Sequence, residues 1–219
     1  LLSRRSCRAF LPVPVPRPHI DRLLALAARS ASNSNCQPWQ VHVLTGTAKR
    51  RLTTALLRAH DDPGYLRAPE YDYQPSPDQW PEPFRSRRQR FGQALYRDVL
   101  GIAQDDVAGR VGHHRRNYDF FGASVGIILT VSRRPLQGSL VDAGLFLQAL
   151  MLAARGAGLA TCAQASLIDF SPVLREHLPI PGDQLIVCAL ALGYADQSHR
   201  LNHQDTPREP TASFAAYYD

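Results

Sequence analysis

Apolar positions along the chain recur with two periods. Ile20, Leu23, Leu24, Ala27 and Ala28 fall at helical spacing, with Asp21 near the positive end of the helix dipole, and predict an amphipathic helix over 18–30. The pattern then changes to alternation, and Trp39–Thr45 reads as a strand ending at Gly46. A second helix is predicted over about 48–59, and two more over 85–116 with a break near Gly101. Residues 123–131 read as a buried strand. Helical spacing returns over 139–156, where Leu140, Leu147, Leu150, Met151 and Ala154 form a core-facing stripe that Gly158 terminates. A short apolar piece over 159–165 precedes a small helix, predicted to be capped by Ser171 with Pro172 in its first turn. Over 184–192 the run is continuous and apolar after Gln184, the pattern of a central strand covered on both faces.

Between these elements lie segments that proline keeps out of regular structure. Residues 11–18 place four prolines at alternate positions, which forces an extended strap. Residues 61–84 combine six prolines with Tyr65, Tyr71, Tyr73, Trp80 and Phe84. A long irregular insertion of this kind predicts a lid or a wall of a site. The end of the chain is polar until Phe214, Tyr217 and Tyr218, an aromatic tail that needs a surface to dock on. With no internal repeat and no domain boundary, the expected architecture is one α+β domain over 1–219, carrying a variable insertion at about 60–116.

Composition narrows the classes. At 44% hydrophobic and 20% charged, the 219 residues have enough apolar content for a real core, which excludes disorder and a collagen-like repeat. The formal charge is +6, with 24 of the 25 cations arginine and only Lys49 lysine. A window of eight arginines and three aspartates over 85–116 alone supplies +5. The apolar runs are shorter than the roughly 20 residues that span a bilayer, and Leu1-Leu2 is followed at once by Ser3-Arg4-Arg5, unlike a secretory signal. The expectation is a soluble, intracellular protein of the cytoplasm with no membrane partner. Cys7, Cys36, Cys162 and Cys188 form no C-x-x-C pair, which points to reduced thiols rather than a zinc site or a disulfide scaffold.

Four segments offer chemistry. Arg4, Arg5, Ser6 and Arg8 bring guanidinium forks and a hydroxyl into five residues, suited to a phosphate dianion, although a solvated basic terminus has the same composition. The segment 30–39, with Ser32, Asn33 and Asn35, can hydrogen-bond a polar heterocycle or serve as a plain connector. The small residues of 158–166 let a flat ring approach the backbone. Asn202 and Arg208 add an amide and a cation in a late loop. His113-His114 suggests no metal, because adjacent histidines on a helix point to different faces and no carboxylate cluster accompanies them; they read as exposed polar residues.

In order along the chain stand R-R-S-x-R-A-F at 4–10, S-x-S-N-S-N-x-Q-P-W at 30–39, N-Y-D-F-F-G-A-S-V-G at 117–126, D-A-G-L-F-L-Q-A-L-M-L-A-A at 142–154, G-L-A-T-C-A-Q-A at 158–165 and A-L-G-Y-A-D at 191–196 with Arg208. Each block alone is weak, but six in this order make the chain resemble the nitroreductase family of flavin mononucleotide (FMN) enzymes. The resemblance implies a central mixed β-sheet surrounded by helices, in an intertwined homodimer. It implies that Arg4, Arg5, Ser6 and Arg8 are the opening flavin contacts, with Arg4 and Ser6 reaching the phosphate and ribityl side of FMN and Arg8 at the N1/O2 edge of the ring, and that Arg208 completes the phosphate clamp. By the same match, Ser32, Asn33 and Asn35 reach the flavin from the other subunit, and the backbone over Ala163, Gln164, Ala165 and Ser166 approaches flavin N5. Where many relatives carry Pro-Ser this chain has Ala31-Ser32, and where some carry Glu-Gly it has Ala165-Ser166.

The implied chemistry is ping-pong: NADH or NADPH gives a hydride to the flavin, leaves, and a small electron-poor substrate such as a nitroaromatic or quinone takes its place. No catalytic side chain and no metal is required of the protein. Dehalogenation, dehydrogenation, ene reduction and flavin consumption share the same flavin-binding blocks and stay open. From a different class, Arg85, Arg87, Arg88 and Arg90 with Trp80, Phe84 and Phe91 as stacking partners offer a nucleic-acid surface. Against this, the charge is local and no nucleic-acid motif is present, so nucleic acid is not the expected partner.

Overall fold

The computed structural model describes residues 1–74 and 76–218. Among these residues four strands, β1 (Trp39–Thr45), β2 (Val125–Ser132), β3 (Ala160–Gln164) and β4 (Gln184–Gly193), form one sheet in the order β1-β2-β4-β3. All three neighbouring strand pairs are antiparallel. The parallel element is a single bridge from Ser6 to Thr161, which lays the N-terminal segment on the outer edge of β3.

Among the described residues, six α-helices accompany the sheet: α1 (Arg17–Ala27), α2 (Gly46–Asp61), α3 (Phe84–Gln93), α4 (Val107–Arg115), α5 (Leu136–Gly156) and α6 (Ser171–His177). Alternation on β2 explains the layering. Val125, Ile127, Leu129 and Val131 face Ile20, Leu23, Phe146 and Leu150 of α1 and α5. Ile128 belongs to a second core with Leu52 and Leu56 of α2 and Leu174 of α6. Both faces of β2 and β4 are therefore covered, as the continuous apolar run of β4 predicts. In the second core Phe120 and Phe121 adopt left-handed backbone, φ 58° and 55°, a conformation that bulky residues avoid. Gly126 makes room for Phe120, because a Cβ there would stand 2.8 Å from its ring.

Several expectations change in detail. α5 begins at Leu136 rather than 139, and over Gln137–Gly156 it is apolar and long enough to cross a membrane by length and composition, contrary to the reading of short apolar runs. One side of it packs on the sheet, while Val141 and Leu145 on the other are exposed. Ser171 is the first residue of α6 and not its cap: Phe170 holds that place, and the Ser171 hydroxyl donates instead to the Ile168 carbonyl at 2.7 Å. α3 runs on into a π-helical stretch, Ala94–Leu100, which Gly101 ends at φ 69°, matching the predicted break. His113 is buried rather than exposed.

The Pro-rich insertion is tied down over its first half. Tyr71 donates to the Val187 carbonyl at 2.7 Å and Tyr73 to Asp169 at 3.0 Å. Glu70 accepts from Arg133, Arg175 and the Ile186 amide. This stretch is a strap across the end of the sheet, where the sequence suggests a lid or a wall of a site. Phe214, Tyr217 and Tyr218 stay exposed at 73, 85 and 94% of their surface, with no dock among the described residues.

Candidate functional site

The N-terminal segment is positioned first. Cys7 N–H donates to the Thr161 carbonyl at 2.9 Å, Leu11 N–H to Tyr194 at 2.8 Å, and Asp196 N–H to Ala9 at 3.0 Å, so residues 6–11 are laced to β3 and to the chain leaving β4. Asn202, buried in the late loop, closes the arrangement. Its side chain accepts from Arg8 N–H at 2.9 Å and donates to the carbonyls of Ala9 and Asp196 at 2.7 and 2.8 Å, while its own carbonyl accepts from Arg5 at 3.1 Å. Asn202 is thus a latch that fixes the arginine cluster, a role that the sequence, showing only a lone amide, does not reveal.

That lacing opens a cavity of about 680 Å³ lined by Arg4, Arg5, Ser6 and Arg8, by Arg87, Arg90, Phe91 and Ala94 of α3 and its extension, and by residues 204–209. Arg208, far along the chain from the N-terminal cluster, joins it on this wall. A smaller adjoining cavity of about 190 Å³ shares Arg4 and Arg5 and is closed by Met151, Arg155 and Thr161. The Arg8 guanidinium lies over the Phe91 ring, 5.7 Å from its centre. Burial pushes the Cys162 thiol up against the opposing pull of Arg8 and Arg4 beside it. Burial likewise drives Cys7 up to about 11 and Cys188 to about 12, so these thiols stay protonated and are poor nucleophiles.

The other end of β3 carries Ala163 and Gln164, followed by Ala165 and Ser166. Ala163 is exposed. Gln164 Nε2 donates to the Asn117 carbonyl at 2.7 Å, which orients the amide and leaves its Oε1 buried without a partner. The Ser166 hydroxyl and both amide atoms of Gln204 are buried and unpartnered as well. Buried polar atoms are normally satisfied, and of these residues Gln204 lines the cationic cavity, where its unpartnered amide fits a polar ligand.

Ser32, Asn33 and Asn35 are elsewhere. Their loop sits against the first half of α5, where Asn33 N–H donates to the Asp142 carboxylate at 3.2 Å and the Ser30 hydroxyl to the Leu145 carbonyl at 3.3 Å. Arg155, which walls the small cavity, lies 13 residues beyond Asp142 on the same helix, or roughly 20 Å at 1.5 Å per residue. Within one chain the loop is therefore separate from the arginine cluster. Arg87, Arg90, Phe91 and Gln204 line the cavity without having been assigned to it from sequence. The Arg-rich window pointed to the region, but arginines lining a cavity and arginines on a solvated face look the same along a chain.

Residues 1–194 match the Nitroreductase family. The chain belongs to the nitroreductase family. A 4-nitrobenzoate reductase from Nocardioides sp. (strain LMS-CY) is 51% identical over 208 residues, covering 95% of this chain and 84% of that protein. Among solved structures, the FMN and NADPH-dependent nitroreductase NfnB from sphigopyxis sp. strain HMH superposes with a TM-score of 0.95 at 35% identity, covering 100% of this chain and 96% of its own. The FMN-dependent nitroreductase NfnB from Mycobacterium smegmatis, solved in complex with NADPH, gives a TM-score of 0.91 at 30% identity, with 99% and 95% covered. These likenesses span the whole fold, including the α3 wall of the cavity and the loop beneath α5.

Proposed function

We propose that this nitroreductase-family chain is an FMN-dependent oxidoreductase that draws electrons from NADH or NADPH and reduces nitroarenes, with 4-nitrobenzoate as the first substrate to test. The observation that carries the reading is the cationic cavity of Arg4, Arg5, Ser6, Arg8 and Arg208 beside β3. FMN, when bound, supplies the centre at N5 that accepts and returns a hydride, so that the nicotinamide and the nitroarene use one slot in turn. The residues fit that group. Guanidinium forks suit its phosphate, Arg8 brings positive charge to the electron-rich edge of the ring, and the orphaned Gln204 amide on the cavity wall offers hydrogen bonds to its polar atoms. The amides near Ala165 and Ser166 are assigned to the N5 side. The protein binds, orients and supplies charge, and no side chain acts as acid or nucleophile.

The active form is assigned as a homodimer, in the cytoplasm, with Ser32, Asn33 and Asn35 completing the partner's site. Their distance from the arginine cluster along α5 and the exposed Val141 and Leu145 on that helix support this arrangement.

The test is direct. Purified protein is expected to be yellow, or to take up FMN with a rise in melting temperature, and to oxidise NADH or NADPH when 4-nitrobenzoate is added. Arg4→Ala and Arg208→Ala each remove a charge-assisted contact with the phosphate, worth about 1.5–3 kcal/mol, and are expected to weaken FMN binding roughly ten- to hundred-fold. Full flavin occupancy in both variants would remove them from the clamp, and a chain that FMN neither colours nor stabilises would sink the reading.

A further inference from the structure

Arg87 and Arg90 line the same cavity as the N-terminal cluster, yet the flavin assignment leaves them unused. Both are aimed at one carboxylate. Arg87 Nε donates to Glu209 Oε1 at 3.1 Å, and Arg90 Nη2 reaches the same oxygen at 3.5 Å. Glu209 directly follows Arg208, so the loop that brings the phosphate cation also brings this anion.

Three features mark the contact as exchangeable. The side chains of Arg87, Arg90 and Glu209 are 37, 65 and 40% exposed, and ion pairs at such exposure contribute little net stability. One oxygen is shared by two guanidinium groups, and Arg90 is at the limit of hydrogen-bond length, so the fork is only partly satisfied. Phe91 lies on the same wall and offers an apolar ring next to the two cations. The charge balance points the same way. Six arginines line the cavity against Asp205 and Glu209, and a phosphate monoester of about −2 neutralises only half of the excess. The remaining positive charge would also draw anionic ligands toward the cavity.

We propose that Arg87 and Arg90 are the recognition site for the carboxylate of an aromatic substrate, and that Glu209 is the internal anion this carboxylate displaces. The inference rests on the flavin-site reading above and deepens it: it names carboxylated nitroarenes as the preferred class and two α3 arginines as the determinants of that preference. Planar guanidinium pairs recognise a carboxylate by bidentate geometry, whereas a neutral ring gains nothing from them.

The experiment reads binding without turnover. Benzoate and neutral benzamide are titrated into the FMN-loaded enzyme, and the perturbation of the flavin absorbance gives each Kd. The unmodified enzyme is expected to favour benzoate. Arg87→Gln and Arg90→Gln are expected to lower that preference at least ten-fold, Arg90→Lys to restore part of it, and Glu209→Gln to increase it several-fold. Preference for benzoate should also weaken as salt rises. An enzyme that binds benzoate no better than benzamide overturns the proposal, as does a preference unchanged in both arginine variants. Loss of FMN from those variants would assign the arginines to the phosphate and overturn it as well. So would an effect confined to NADPH relative to NADH, which would assign them to the coenzyme's extra phosphate. An enzyme that shows the benzoate preference and its arginine dependence while reducing no nitroarene supports the recognition site and instead refutes the proposed reaction.

Discussion

His113 is held neutral by its surroundings. It meets Tyr96 edge-on at 5.7 Å and lies 6.2 Å from Phe121, with 8% of its surface exposed. Burial, then the positive charges of Arg116 and Arg8 and the neighbouring His114 and His199, drive its pKa down to about 4. The folded value is below the ordinary 6.5, so the unfolded chain binds more protons between the two. Stability tied to His113 is therefore complete above about pH 6.5 and is lost as pH falls toward 4, a change of about 3 kcal/mol across the window. Burial lowers His42 and His114 in the same direction. His113→Gln, which keeps a polar side chain and cannot titrate, is expected to flatten the rise of unfolding free energy between pH 4 and 6.5 in urea melts. A slope equal to the parent's would show that other groups set it. From sequence the two adjacent histidines were indistinguishable; only the packing of α4 against Tyr96 and Phe121 makes one of them a buried base.

Elements were legible where one local rule fixed them. β2 and β4 are apolar at successive positions because both faces are covered, and Gly101 ends the α3 extension because its φ of 69° suits glycine. The strap over 61–74 was not legible, because its structure comes from contacts with residues far along the chain. Burial alone would raise Glu70, but Arg175, the Ile186 amide and Arg133 together hold its carboxyl below the usual range. Glu70→Ala releases two cations that can reach water and loses several charge-assisted bonds, a cost of about 2–3 kcal/mol. The expected outcome is a lower melting temperature and faster proteolysis within 61–84, with FMN occupancy unchanged. An unaltered melt would show that Tyr71 and Tyr73 hold the strap without it. The cavity illustrates the same limit: its N-terminal arginines were recognisable as a block, while Arg87, Arg90 and Gln204 entered it only through folding.

At the scale of the whole molecule, one chain leaves matching pieces unused. The Ser32–Asn35 loop carries the polar groups that the family resemblance assigns to a flavin, but Asp142 and Leu145 hold it roughly 20 Å along α5 from the arginine wall. Val141 and Leu145 are 66 and 46% exposed on a helix whose composition is that of a core element, and the outer edge of β1 and the aromatic tail are uncovered too. A second copy packed along α5 would bury that apolar face and carry its loop toward the first copy's cavity, which joins dimerisation to flavin binding. Leu145→Glu places a charge on this face near the end of the loop, away from the arginine cavity of its own chain. It is expected to yield a monomer by light scattering with at least ten-fold weaker FMN binding, whereas an exposed leucine on a genuine monomer surface tolerates the change within about 0.5 kcal/mol. Since the substituted residue lines neither arginine cavity of its own chain, loss of flavin together with the dimer would locate the missing half of the site on the partner, and a monomer that keeps its flavin would place the complete site within one chain.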